Sequence, residues 1–207
     1  MSEKLRVLIA CEYSGRTRRA FQALGHETYS CDILPAEDGE RFWHIQEPLR
    51  HVFARFKWWD LVIAHPPCTY LCNSGVRWLH ERPERWGKLD HAAQFFKMCM
   101  AAPADKVAIE NPVMHKYGVE RVGRKHDFTV QPWQFGDPHK KRTCFWTKGL
   151  PPLTPTSDMT ASDAKSTVHL ASPGPDRWKE RSRTYQGIAD AMAMQWGGDA
   201  REAEESP

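Results

Sequence analysis

The chain has 207 residues, 41% of them hydrophobic and 11% aromatic with nine Trp, enough for one well-packed domain and unlike a disordered chain. Its net charge of +3 is uneven: the stretch from Asp199 to Pro207 carries −3, which leaves +6 on the rest. No apolar run approaches the roughly 18 residues a membrane helix needs, and the opening MSEKLRVLIA has no signal-peptide pattern, so the expectation is a cytoplasmic protein without a membrane partner.

The first element is RVLIA, Arg6 to Ala10, a continuous apolar run as expected of a strand buried on both faces. CEYSGR follows as a turn. RTRRAFQAL then puts Ala20, Phe21 and Leu24 on one helical face, and Gly25 is a natural stop. ETYSCD alternates and ends in Asp32, a second strand. IQEPLRHVFARF spaces Ile45, Leu49, Val52, Phe53 and Phe56 as a helix, with Pro48 pushing its start later. DLVIA, Asp60 to Ala64, is another buried strand.

From His65 to Gly87 the sequence is polar and aromatic without a clean period, which reads as a long functional loop. KLDHAAQFFKMCMAA is helical, KVAIE is a strand running into ENP, and FTVQPW and TCFWTKG are two further strands. Residues 147–182 are loop-rich, with Pro, Ser and Thr in excess. TYQGIADAMAMQW is a closing amphipathic helix, and 197–207 is expected to be a disordered acidic tail. Strands alternating with helices predict an α/β fold: a Rossmann-like, mostly parallel sheet with helices on both faces, forming a single domain over 1–196.

The six cysteines are scattered. Only Cys68 and Cys72 lie close together, and no second pair completes a zinc site, so no metal is expected and a reducing compartment disfavours disulfides. Basic clusters stand at Arg16, Arg18 and Arg19, at HKKR (His139 to Arg142), and at Arg177, Lys179, Arg181 and Arg183. They suit a phosphate-rich partner, and equally an ordinary mixed surface.

In a parallel sheet, ligands bind at the carboxyl ends of the strands. There the sequence puts CEYSG, Asp32, HPPC and ENP in turn. The glycine of YSG lets the backbone approach a ligand, and the following helix start offers N–H groups. Asp32 suits a ribose diol. Without a full glycine triplet, a nucleoside lacking phosphates, such as S-adenosylmethionine, fits better than a pyrophosphate cofactor. Pro66 and Pro67 form a stiff extended strut that holds Cys68 over the sheet. A thiol is a strong nucleophile once deprotonated, although Cys68 alone reads equally well as a small loop residue. Glu110 ends a buried strand, where desolvation is expected to raise its pKa and let it donate a proton near neutral pH. Pro112 fixes the turn and Asn111 orients its neighbours. Arg142 heads a strand, where a rigid guanidinium can hold an oxo group.

These pieces, in this order, resemble the DNA (cytosine-5) methyltransferases, and more narrowly the short methylase-like proteins of bacteriophages and prophages. The matching stretches are ACEYSGRTRRAF with SCDILP, DLVIAHPPC, VAIENP, KKRTCFW and TYQGIADAMAMQWG. The resemblance implies an S-adenosylmethionine-dependent enzyme acting on DNA in the cytoplasm of a bacterium or phage-infected host, with restriction-modification as a setting. It implies Cys68 as nucleophile, Glu110 as acid and Arg142 as holder of the 2-oxo group, with Pro67 and Asn111 completing the catalytic set. It implies cofactor contacts at Glu12, Tyr13, Ser14, Gly15, Asp32, Ile33, Pro66, Gly187 and Ile188, and DNA contacts at Asn73, Lys140 and Lys141. Amino-group methyltransferases carry an aromatic residue after Pro-Pro; Cys68 in that place favours carbon 5.

Full-length members insert a large target-recognition domain before the closing helix. Here residues 147–182 are all that is available, so a short or relaxed site preference, a single-stranded substrate, or a second subunit in a homodimer is expected. Two alternatives stay open: a related carbon-5 modification using another sulfonium donor or a nucleotide acceptor, and a nonenzymatic DNA-binding relative.

Overall fold

Two apolar runs take the centre of the sheet. They are β1 (Arg6–Ala10) and β4 (Trp59–Ala64), whose inward residues are excluded from solvent on both faces. A computed structural model describes residues 3–73, 76–165 and 183–200. Around that pair it sets β2 (Glu27–Asp32), β3 (His44–Gln46), β5 (Ala104–Pro112), β6 (Phe128–Val130) and β7 (Thr143–Lys148). The sheet order is β3-β2-β1-β4-β5-β7-β6. β3, β2, β1, β4 and β5 run parallel; β7 pairs antiparallel with both β5 and β6.

Helices cover both faces. α2 (Leu49–Arg55), α3 (Trp78–Glu81), α4 (Glu84–Met100) and α5 (Lys116–Val122) contribute to one core layer with Leu8, Val62, Ile109 and Trp146. α1 (Arg16–Gln22) and α6 (Gln186–Met192) contribute to the other with Val7, Ile63, Ala108 and Phe145. In α4, Leu89, Ala93, Phe96 and Cys99 recur at helical spacing and are buried. Fully burying a side chain such as Phe96 stabilises by about 1.5–3 kcal/mol. The fold is a Rossmann-like α/β sheet with helices on both faces, as the alternation of elements predicted.

Several boundaries differ from the sequence reading. The stretch read as one helix from Ile45 divides: His44–Gln46 adds an edge strand, Pro48 ends it, and α2 starts at Leu49. A three-residue strand has too little periodicity to register. The supposed loop from His65 to Gly87 contains α3 and the first turn of α4. α5 was not foreseen; its start is capped by the His115 imidazole, which accepts from Gly118 N. FTVQPW leaves the sheet at Val130, because Pro132 opens a 3-10 turn over Pro132–Phe135. The closing helix passes into a π-helical turn over Ala193–Gly197.

The stretch expected as a disordered tail begins with packed residues. Ala200 is buried and donates its N–H to Leu24 O at 2.8 Å, and His26 Nε2 lies 2.9 Å from Gly198 O. Residues 201–207 lie outside the described residues, as do 166–182 in the loop-rich stretch. Among the described residues, no helix is long and apolar enough to cross a membrane.

Candidate active site

The order of strands reverses between β1 and β4, which is where a doubly wound sheet opens a crevice at its carboxyl edge. Two loops leave that point. One runs from Cys11 to Gly15, the other from His65 to Asn73.

Cys11 has φ 59, the left-handed region that non-glycine residues rarely adopt. Its thiol is pushed to high pKa first by hydrogen bonding to the Cys99 thiol and then by burial. Glu12 follows, buried. Its carboxylate accepts from Thr17 N at 2.7 Å, from Arg18 N at 3.2 Å and from the Ser14 hydroxyl at 3.3 Å. Gly15 stands in the left-handed region at φ 68, and a β carbon there would run into the Arg18 guanidinium. The sequence reading offered the N–H groups of this helix start to a ligand. The structure corrects it: Glu12 takes them, because a fixed carboxylate complements the positive end of the helix dipole. A built-in anion at this spot also disfavours a phosphate there.

Asp32 closes β2. Burial raises its pKa, against a hydrogen bond from Leu34 N at 3.0 Å. The next residue, Ile33, is 71% exposed, an uncovered apolar side chain. His44 fixes this corner: its Nε2–H donates to Leu34 O and its Nδ1 accepts from the Ser30 hydroxyl, both at 2.9 Å. Asp38 pairs with Arg18 and Arg19, which draws the loop after β2 against α1.

The loop after β4 is stitched to the end of β5. Asn111 Nδ2 donates to Pro66 O at 2.8 Å. His115 N donates to Leu71 O at 3.0 Å, and His115 Nε2–H donates to Tyr70 O at 2.9 Å. Cys72 and Met114 form an isolated antiparallel bridge. A β carbon on Gly118 would stand 2.8 Å from Leu71 O, so the close approach requires glycine. Leu71 N and Cys72 N both donate to Cys68 O at 3.0 Å. The peptide at Cys68 is thus held from both sides.

His65 Nδ1–H donates to Glu110 Oε2 at 2.9 Å. Burial pushes the Glu110 carboxyl up, but the His65 hydrogen bond and the Lys141 charge outweigh it and hold its pKa below the ordinary value. This corrects the expectation of a raised pKa: desolvation is present, but the partners win. His65 Nε2 and Asn111 Oδ1 are buried and have no hydrogen-bond partner among the described residues. Buried orphans of this kind call for an explanation, and a bound ligand is one.

The Cys68 thiol is pushed up, first by hydrogen bonding to the Cys72 thiol, then by burial and by the negative charge of Glu110; Lys141 opposes them. Cys68 and Glu110 are therefore within electrostatic reach of each other, and Lys141 acts on both. The cation expected here was Arg142. Arg142 is exposed, and the group its charge acts on is the Cys144 thiol, which burial raises to about 11. Of these two neighbours, Lys141 is the one whose charge acts on both Glu110 and Cys68.

The remaining expected positions are placed as follows. Pro66 and Tyr13 are buried and Pro67 is exposed. Asn73 is exposed, with its N–H on Val113 O at 3.4 Å, and Lys140 is exposed, with its N–H on Lys165 O at 3.0 Å. Gly187 and Ile188 are packed into the fold. A β carbon on Gly187 would overlap the Phe135 carbonyl, its N–H donates to Asp137 Oδ2 at 2.9 Å, and Ile188 is a core residue. Thr184, just ahead of them, does reach the crevice edge: its carbonyl accepts from Arg16 Nη1 at 3.1 Å.

No family model matches the chain, and no curated protein matches it. Among solved structures it is similar to the methyltransferase EhMeth of Entamoeba histolytica, at 11% identity and a TM-score of 0.44. That match covers 83% of this chain and 61% of the other, so this chain spans less than two thirds of that protein's length.

Proposed function

We propose that the chain is an S-adenosylmethionine-dependent methyltransferase that methylates carbon 5 of cytosine in DNA through a transient Cys68 adduct. One observation carries this reading: the loop that bears Cys68 is fixed to the end of β5 by the Asn111–Pro66 bond and by His65 on the buried Glu110 carboxylate at 2.9 Å, with Leu71 N and Cys72 N on Cys68 O.

The residues at the ends of β1 and β2 fit the cofactor. Asp32 is a partly buried carboxylate at a strand end, suited to the two ribose hydroxyls, and Ile33 offers an uncovered apolar surface to a base. The Glu12 cap at the α1 start disfavours a phosphate and is compatible with a nucleoside that has none. When bound, S-adenosylmethionine supplies an electrophilic methyl group.

The chain's own residues account for the rest. Carbon 5 of cytosine is a weak nucleophile until carbon 6 carries a sulfur. Cys68 Sγ bonds carbon 6 as its proton passes to the Glu110 carboxylate, and ring nitrogen 3 takes that proton from Glu110. Glu110, whose pKa is held low, starts as the carboxylate that receives this proton. While Glu110 carries the thiol's proton its negative charge is cancelled, which removes one of the causes that raise the Cys68 pKa. Lys141 stabilises charge developing on the base. Carbon 5, now nucleophilic, takes the methyl group; loss of its proton to water expels Cys68 as the thiolate, and the nitrogen 3 proton returns through Glu110 to the sulfur. A cytosine in duplex DNA must leave the stack to meet these groups.

The test is expression in a host free of cytosine methylation, with nucleosides measured by mass. A 5-methylcytosine signal that disappears in Cys68→Ala supports the proposal; soluble, folded protein with unmodified cytosine defeats it. A heavier modified base would instead favour another sulfonium donor on the same residues. A covalent adduct on DNA containing 5-fluorocytosine would exclude a nonenzymatic binding protein.

A further inference from the structure

The segment after the Cys68 loop carries cations that rest on aromatic rings. Arg77 and Arg82 lie over Trp78, at 4.3 and 4.8 Å from the ring centroid. Arg85 and Lys88 lie over Tyr70, at 4.7 and 6.0 Å. Tyr70 is two residues past Cys68, and its carbonyl is fixed by His115. Among the described residues, none of these four cations is in an ion pair. The acids nearby in sequence are Glu81, Glu84 and Asp90, and Asp90 is taken by Arg121 at 2.6 Å.

This arrangement differs from an ordinary mixed surface. An ion pair orients a cation and cancels its charge. An aromatic face orients it and leaves the charge, with its N–H groups available to another acceptor. Three of the four groups are planar guanidinia, whose fork matches a phosphate. They follow directly on the loop that holds the proposed nucleophile.

We propose that this surface, from the loop after β4 to the first turns of α4, is where the chain grips the phosphodiester backbone of DNA. It would do the work that the short 147–182 stretch is too small to do. The proposal rests on the DNA-modifying reading for its choice of polyanion. Phosphate contacts position a strand without reading its sequence, so the grip predicts strong salt dependence and weak sequence preference.

The experiment measures binding of the full chain carrying Cys68→Ala to a mixed-sequence single strand and to its duplex, across a range of salt. Each phosphate contact contributes to the log–log slope about 0.7 for a single strand and about 0.9 for a duplex. Replacing Arg77, Arg82, Arg85 and Lys88 with Gln is expected to lower the slope by about 3 on a single strand or about 4 on a duplex. Replacing the three arginines with Lys keeps the charge and is expected to keep most of the slope. Lys57→Gln, exposed just ahead of the amino end of β4, should leave it unchanged. A folded Gln variant with an unchanged slope overturns the proposal, as does equal affinity of the starting chain for polyglutamate. If cytosine is methylated in cells but the slope does not move, the grip fails and the function stands. If the slope falls and no base is modified, the function fails and the grip stands.

Discussion

His65 Nδ1 lies 2.9 Å from Glu110 Oε2, and the two side chains are only 8% and 9% exposed. The pair joins the end of β4 to the end of β5 at the point where the proposed reaction needs an acid. Removing His65 leaves the effect of burial on Glu110 opposed mainly by Lys141. In His65→Gln the Glu110 carboxyl pKa should rise, as read by carbon NMR titration. Turnover should fall on the order of 10²-fold, within the range for lost proton transfer. A purely structural role for His65 would slow the reaction without moving the titration.

The depressed pKa of Glu110 has a consequence for stability. A carboxyl held below its ordinary value, 4.5 here, favours the folded state above that pH, and the gain disappears as pH falls through the folded value. The stability difference between the native chain and Glu110→Gln should therefore be constant near neutrality and change in the acid range. Urea midpoints at neutral pH and near pH 3 measure it. No change in the difference across that interval would contradict the assignment.

Lys141 and Arg142 are adjacent in sequence and act on different groups. Lys141→Met should raise the Cys68 pKa further and slow its alkylation at a fixed mildly alkaline pH. Glu110→Gln removes an opposing charge and should speed the same reaction. Arg142→Met should leave Cys68 unchanged. The readout is the rate of iodoacetamide labelling located by peptide mass. Equal effects of the two cations would place both on one face.

Gly187 packs against the Phe135 carbonyl. Gly187→Ala should act through overpacking, costing about 1–3 kcal/mol and lowering the melting temperature. Calorimetry with and without S-adenosylmethionine separates this from a cofactor contact: the stabilisation by ligand should be the same in both chains.

Much of this was legible in the chain. RVLIA, DLVIA and KVAIE are apolar without alternation because their strands are covered on both faces, and that property alone identifies them as inner strands of a wound sheet. A thiol after Pro-Pro and a carboxylate before Asn-Pro stand at the carboxyl ends of such strands, and β4 and β5 are neighbours in the sheet. The local pattern could not say what those groups touch. Ile63 pairs with Ala108 and Ala64 with Ile109, so one further step sets His65 beside Glu110, 45 residues away in the chain. The reversal of β7 against β5, with Glu110 opposite Phe145 and Pro112 opposite Thr143, brings Lys141 close enough for its charge to act on that carboxylate. Capture of the α1 start by Glu12 likewise depends on how sharply the backbone turns at Cys11. Sequence fixes which faces must be buried, since burial depends on residue type; partners depend on register and on turn geometry, which only the assembled sheet supplies.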